Sequence, residues 1–222
     1  MTTAVPIGTW LHNPVTGELA ELRSLDSGND RMEGTLWLQP GAAVARPHVH
    51  DHLIERFEVL DGEVGFVVGG AERVVAPGAG VVEVPAGVVH DWWNAGDGIA
   101  QVRVEVEAVA APGGAGRFVA MIQTLWSLGA LGRVDAAGAP DLLWLAAIAR
   151  EYRDVIRFVS PPAPVQAILF GPLSAVARAT GRDPLAPGLH GPDAACVIEN
   201  PGEEGRAALL GVRVEAGTAR GR

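Results

Sequence analysis

Of the six histidines in this 222-residue chain, three lie at His48, His50 and His52, and Glu55 follows them. On a β-strand the i, i+2 spacing of His48 and His50 puts both imidazoles on one face, where they can converge on a single ion. His52 has the same parity and could replace His50 if the strand ran on, but a turn before Glu55 would expose it. If the chain turns at Asp51 to Leu53 and returns as a strand, Glu55, Phe57 and Val59 share one face and Arg56 and Glu58 the other. The charged pair belongs in water, which places Glu55 inside, where an unpaired carboxylate is costly and a cation relieves it. His90 follows a Pro85-Ala86-Gly87 turn and can bring a third imidazole to the same point. Three nitrogen donors and one hard oxygen suit Fe(II), Mn(II), Ni(II), Co(II), Cu(II) or Zn(II). Three or four protein ligands leave positions open for a substrate, as a catalytic site requires.

The elements that would position these residues read as β-structure. From about 30 to 110, short runs of Val, Ile, Phe and Trp are cut by Gly, Pro and Asp about every ten residues. Residues 99–107 set Val102, Val104 and Val106 on one face against Gln101, Arg103, Glu105 and Glu107 on the other, the period of two of a half-buried strand. Asp61-Gly62 and Gly69-Gly70 are turn signals, and the spacing predicts a three-stranded meander across them. Arg46 shares the parity of His48, where its guanidinium could take a substrate carboxylate or phenolate or else form a strand-end ion pair. Phe57 and Trp92, with the parities of Glu55 and His90, could wall a pocket or simply pack in the core.

After the Gly/Pro/Ala-rich stretch 110–116 the period becomes helical. Phe118, Met121, Ile122, Leu125 and Trp126 recur at steps of three and four over 117–131, and Leu142, Leu145, Ala149, Tyr152 and Ile156 do so over 141–159. A third helix is expected over 164–180. The boundaries are an N-terminal arm or strand at 1–28, a β-barrel at 29–110, a helical extension at 111–183 and a disordered tail at 184–222. Trp126 and Trp144 are expected in helix core or a dimer contact, His12 and His190 at the surface, and Cys196 as a spectator in the tail.

Composition closes off several functions. There are 17 basic residues, all Arg, against 26 acidic ones, a net charge of -9. An acidic chain without lysine has no nucleic-acid footprint, is repelled by anionic membranes and has no lysine for Schiff-base chemistry. One cysteine excludes an intrachain disulfide framework and a multi-thiolate zinc site. The first twenty residues carry no signal-peptide pattern, so a cytoplasmic protein is expected. The uncharged run 158–177 is as long as a membrane span, but its prolines and Gln166 favour a packed helix.

The run Gly41, six residues, His48-Val49-His50, four residues, Glu55, six residues, Gly62 resembles the first sequence motif of the cupins. Pro85-Ala86-Gly87, two residues, His90, three residues, Asn94 resembles the second. The family usually has five residues, not six, before the first histidine and between Gly78 and Pro85, differences that bulges absorb. The resemblance covers about 40–108. It implies a mainly β fold, a cupin-type jelly-roll barrel followed here by a C-terminal α-helical extension, with His48, His50, Glu55 and His90 as metal ligands and Glu55 as the catalytic group. Cupins with these ligands include dioxygenases, which makes an Fe(II)-type oxygenase of a small organic molecule the leading expectation. A metal-dependent isomerase or lyase, and a non-catalytic binding module, are the alternatives. Cupins commonly pair, so a homodimer is expected.

Overall fold

The computed structural model describes residues 5–211, apart from the side chains at 44–46, 163 and 167. Ten strands come first: β1 (Trp10–His12), β2 (Leu19–Leu25), β3 (Arg31–Leu38), β4 (Ala43–Val49), β5 (Leu53–Asp61), β6 (Val64–Val68), β7 (Ala71–Val75), β8 (Val81–Val84), β9 (His90–Asn94) and β10 (Ala100–Ala108). Helices α1 (Gly114–Ala130) and α2 (Leu142–Glu151) follow, then a short strand β11 (Arg157–Phe158), α3 (Ala163–Ala179), β12 (Val197–Ile198) and α4 (Gly202–Leu209).

The strands form two antiparallel sheets, ordered β12-β1-β2-β3-β10-β5-β8 and β11-β4-β9-β6-β7. Their inner faces meet in one core, where Phe57 of the larger sheet touches Phe66 and Trp92 of the smaller at 5.4 and 4.9 Å between ring centroids. This is the jelly roll followed by helices. The expected alternation holds: Leu53, Glu55, Phe57 and Val59 are buried along β5, and Val102, Val104 and Val106 along β10. On the outer face Arg56 bridges Glu83, Glu105 and Glu107.

Three expectations change. The meander is not one sheet, because both edges of β5 are taken by β10 and β8. Asp61-Gly62 therefore carries the chain from one sheet to the other, and of these three strands β6 and β7 alone pair as a hairpin. Gly62 is in the left-handed region (φ 76°), and a Cβ there would lie 2.9 Å from Ala100 Cα.

The tail is ordered as far as it is described. β12 pairs with β1 at the edge of the larger sheet, and Leu189, Ala194, Cys196 and Leu210 are buried. The fully buried Gln123 of α1 donates to the Gly191 carbonyl (3.0 Å) and accepts from the Gly191 amide (2.9 Å). A few apolar side chains and one amide clamp suffice to order a Gly- and Pro-rich segment. The rest of the expected disordered tail, 212–222, lies outside the described residues.

The helices pack on the barrel core through Met121, Leu128, Ile148 and Tyr152. The second helix ends at Glu151, earlier than the periodicity predicts, and its remainder turns back to supply β11. No helix among the described residues is long and apolar enough to cross a membrane.

Candidate metal centre

β4 and β9 pair with His48 directly opposite His90, their rings 4.2 Å apart. The ladder between β4 and β9 is irregular on both sides of Ala45, which accommodates the extra residue ahead of His48. His50 lies one residue past the end of β4, where its carbonyl accepts from the Gly87 amide (2.9 Å). That bond ties His50 to the turn that launches His90. Glu55 enters from the other sheet, flanked in register by Val84 and Val106. The four side chains thus arrive from both sheets at one interior point.

One ligand atom from each of His48, His50, Glu55 and His90 lies within 4.8 Å of every other, and all four residues are 4% exposed or less. His48 Nε2 is 3.1 Å from His50 Nε2, and Glu55 Oε2 is 2.8 Å from His90 Nε2 and 3.6 Å from His50 Nε2. His50 Nδ1 meets the Val155 carbonyl (2.6 Å) and His90 Nδ1 the Val88 carbonyl (3.1 Å). A carbonyl oxygen only accepts, so each Nδ1 carries a proton, which leaves Nε2 as the nitrogen that would turn a lone pair inward to a metal.

Glu55 Oε2 and His90 Nε2 are close but not aligned, and neither has a hydrogen-bond partner. Buried polar atoms left in that state are costly, and one cation among them would satisfy the set. Burial alone would push the Glu55 carboxyl up, but the charges of His50, His90 and His48, with the His90 contact, outweigh it and hold the group at about 2. Burial would likewise lower His90, and contact with Glu55 raises it instead. The donors fit a divalent transition ion.

Sequence reasoning missed the part played by the helical extension. The Val155 carbonyl orients His50, Phe118 of α1 packs edge-on against the His50 ring (5.6 Å), and Phe158 pairs in register with His48. Arg157 forks onto Asp51 at 2.9 and 2.8 Å, fastening β11 beside the metal centre. These contacts join residues far apart in the chain, and no local pattern announces them.

The other expected site residues are placed as follows. Phe57 and Trp92 are buried in the barrel core and pack on each other. The side chain of Arg46 lies outside the described residues, and the irregularity of β4 between Ala45 and His48 interrupts the alternation from which its inward direction was argued. His52 is exposed, as the turn before Glu55 requires. His12 and His190 are half-buried and stand outside the cluster. Trp126 and Trp144 are helix core. Cys196 is buried, which pushes its thiol up to about 11 and leaves it unreactive.

Solved structures similar to this chain include the cupin domain of Schizosaccharomyces pombe Cnp3 (20% identity, 40% of this chain and 64% of that one, TM-score 0.36). KdgF from Halomonas sp. matches at 18% identity over 41% of this chain and 79% of its own, with a TM-score of 0.36. A sugar phosphate isomerase of the cupin superfamily from Silicibacter pomeroyi matches at 22% identity over 43% of this chain and 62% of its own, with a TM-score of 0.37. The chain thus spans less than two thirds of the first and last of these. No curated protein sequence matches it. The family model described as the Cupin domain matches residues 35–107, a span that includes all four donors, both motifs and strands from each sheet, and this chain carries a cupin domain.

Proposed function

We propose that the protein is a metal-dependent enzyme acting on a small organic molecule, and that the reaction is an oxygenation in which both atoms of dioxygen enter the product, so that no external reductant is needed. The observation that carries this reading is the convergence of three imidazoles and a carboxylate at one buried point, with Glu55 Oε2 and His90 Nε2 unsatisfied. A divalent ion held there, Fe(II) first among the candidates, would polarise and activate an enolate, phenolate or diketonate substrate.

The chain's own part is orientation and proton handling. The carbonyls of Val155 and Val88 keep the His50 and His90 protons on Nδ1, leaving Nε2 free to ligate. Glu55, ionised by its surroundings, either completes the donor set or takes a proton from the substrate. Phe57 and Trp92 would wall the interior behind the donors and exclude water, and Arg46 is the proposed partner for an anionic substrate group.

Metal analysis of protein purified without a histidine tag, combined with dioxygen uptake on flavonoid, diketone and thiol substrates, tests the proposal. Stoichiometric metal and uptake matching substrate loss, both absent from a His48→Ala/His90→Ala variant, are expected. Turnover without uptake would replace the oxygenase by an isomerase or lyase, and binding without turnover in metal-loaded protein would make the domain a sensor.

A further inference from the structure

The helical extension also holds a cleft of about 560 Å³, lined by none of the four metal donors, whose walls include Arg117 of α1, Arg150 at the end of α2, Arg153 in the turn beyond it, and Ser174 and Arg178 of α3. A volume of that size accepts a small molecule. The pairing of these arginines sets the cleft apart from the rest of the surface. Arg117 forks onto Asp154 at 2.6 and 2.9 Å, donates to the Glu151 carbonyl (2.6 Å), and approaches the Glu151 carboxylate (3.5 Å). It therefore occupies two of the three acidic groups in the walls. The third, Asp183, accepts from the Leu185 amide (3.0 Å).

Arg150, Arg153 and Arg178 are exposed and make no ion pair, side-chain hydrogen bond or ring contact among the described residues. Arg73 is the only other described arginine of which that is true, so three of the four unpartnered guanidinium groups converge on one cleft. In a chain with 26 acidic residues against 17 arginines, leaving three together unpaired runs against the average surface. The carbonyl ends of α2 and α3 attract Arg150 and Arg178, but they have no claim on Arg153 and leave the N–H forks unused.

We propose that this cleft binds a small phosphate-bearing molecule. Guanidinium forks arriving from α2, from the turn after it and from α3 can each take oxygens of a tetrahedral, doubly charged group, whereas a planar carboxylate is served by one fork. The acidic remainder of the molecule repels polyanions such as nucleic acid, so the recognised species is small. The cleft shares no lining residue with the four metal donors, and the proposal does not rest on the reaction assigned to them.

Isothermal titration calorimetry with inorganic phosphate and with pyrophosphate, at constant ionic strength set with sodium chloride, tests this. Saturable one-site binding is expected, weakened at least tenfold in Arg153→Gln/Arg178→Gln and unchanged in Arg73→Gln. It should also be unchanged in His90→Ala, which separates the cleft from the metal centre. Tighter binding of pyrophosphate than of phosphate would point to a phosphate ester or anhydride as the natural ligand, and the reverse to the free ion. Circular dichroism of the double variant checks that the fold is intact. Absence of saturable binding, or binding that survives in the folded double variant, would overturn the proposal.

Discussion

His50 Nδ1 donates to the carbonyl of Val155 across 105 residues of sequence, so a ligand from the barrel takes its orientation from the helical extension. A backbone carbonyl cannot be removed by substitution, but the segment carrying it can be loosened. Arg157, two residues on, holds that segment to Asp51 beside His50. Arg157→Ala should leave the barrel folded yet lower metal affinity by roughly tenfold to a hundredfold, the usual cost of disturbing an outer-shell partner. Competition against a chromophoric chelator measures it, and an unchanged affinity would mean that the extension does not hold His50 in place.

Glu18 offers a pH-dependent prediction remote from the metal. It is buried, accepts hydrogen bonds from Asn13 Nδ2 (2.8 Å) and from the Thr16 hydroxyl, and burial raises its pKa above 4.5 against the opposing effect of those bonds. A carboxyl with a raised folded pKa binds more protons folded than unfolded, so stability falls as pH rises from about 4.5 through the folded value. Glu18→Gln keeps an acceptor and removes the charge. Its stability relative to the parent should therefore grow across that interval and level off above it. Urea unfolding at a series of pH values measures the difference, and a gap that stays constant with pH would refute the assignment.

The barrel and the four candidate donors were legible because each rests on a short-range rule. Period-two alternation placed Glu55 and Phe57 inside, and two spaced motifs brought His48, His50 and His90 to one point. The rest depends on long-range contacts that leave no local trace. Asp61-Gly62 signals a turn whether the chain folds back on its own sheet or crosses to the other. Composition marked the tail as too rich in glycine and proline to order itself, yet its described part is held by β1 and by Gln123, far away in the chain.

Gly65 tests the packing of the smaller sheet. It pairs with Trp93 across β6 and β9, and a Cβ at position 65 would lie 2.3 Å from the indole ring. Gly65→Ala must displace Trp93, and overpacking of this kind costs about 1–3 kcal/mol. Chemical unfolding should show that loss together with a changed tryptophan emission. A stability equal to the parent's would mean that the ring moves aside freely.

Glu55 separates ligation from proton transfer. Glu55→Gln keeps the shape and one carbonyl oxygen but removes the negative charge that three imidazoles hold in place. If Glu55 serves only as a ligand, the variant should bind metal at least tenfold more weakly, and saturating metal should restore most of the rate. If it also takes a proton from the substrate, the rate should stay about 10²–10⁴-fold low in fully loaded protein, the range contributed by a positioned general base. Rates measured at metal concentrations spanning saturation distinguish the two, and full activity without excess metal would remove Glu55 from both roles.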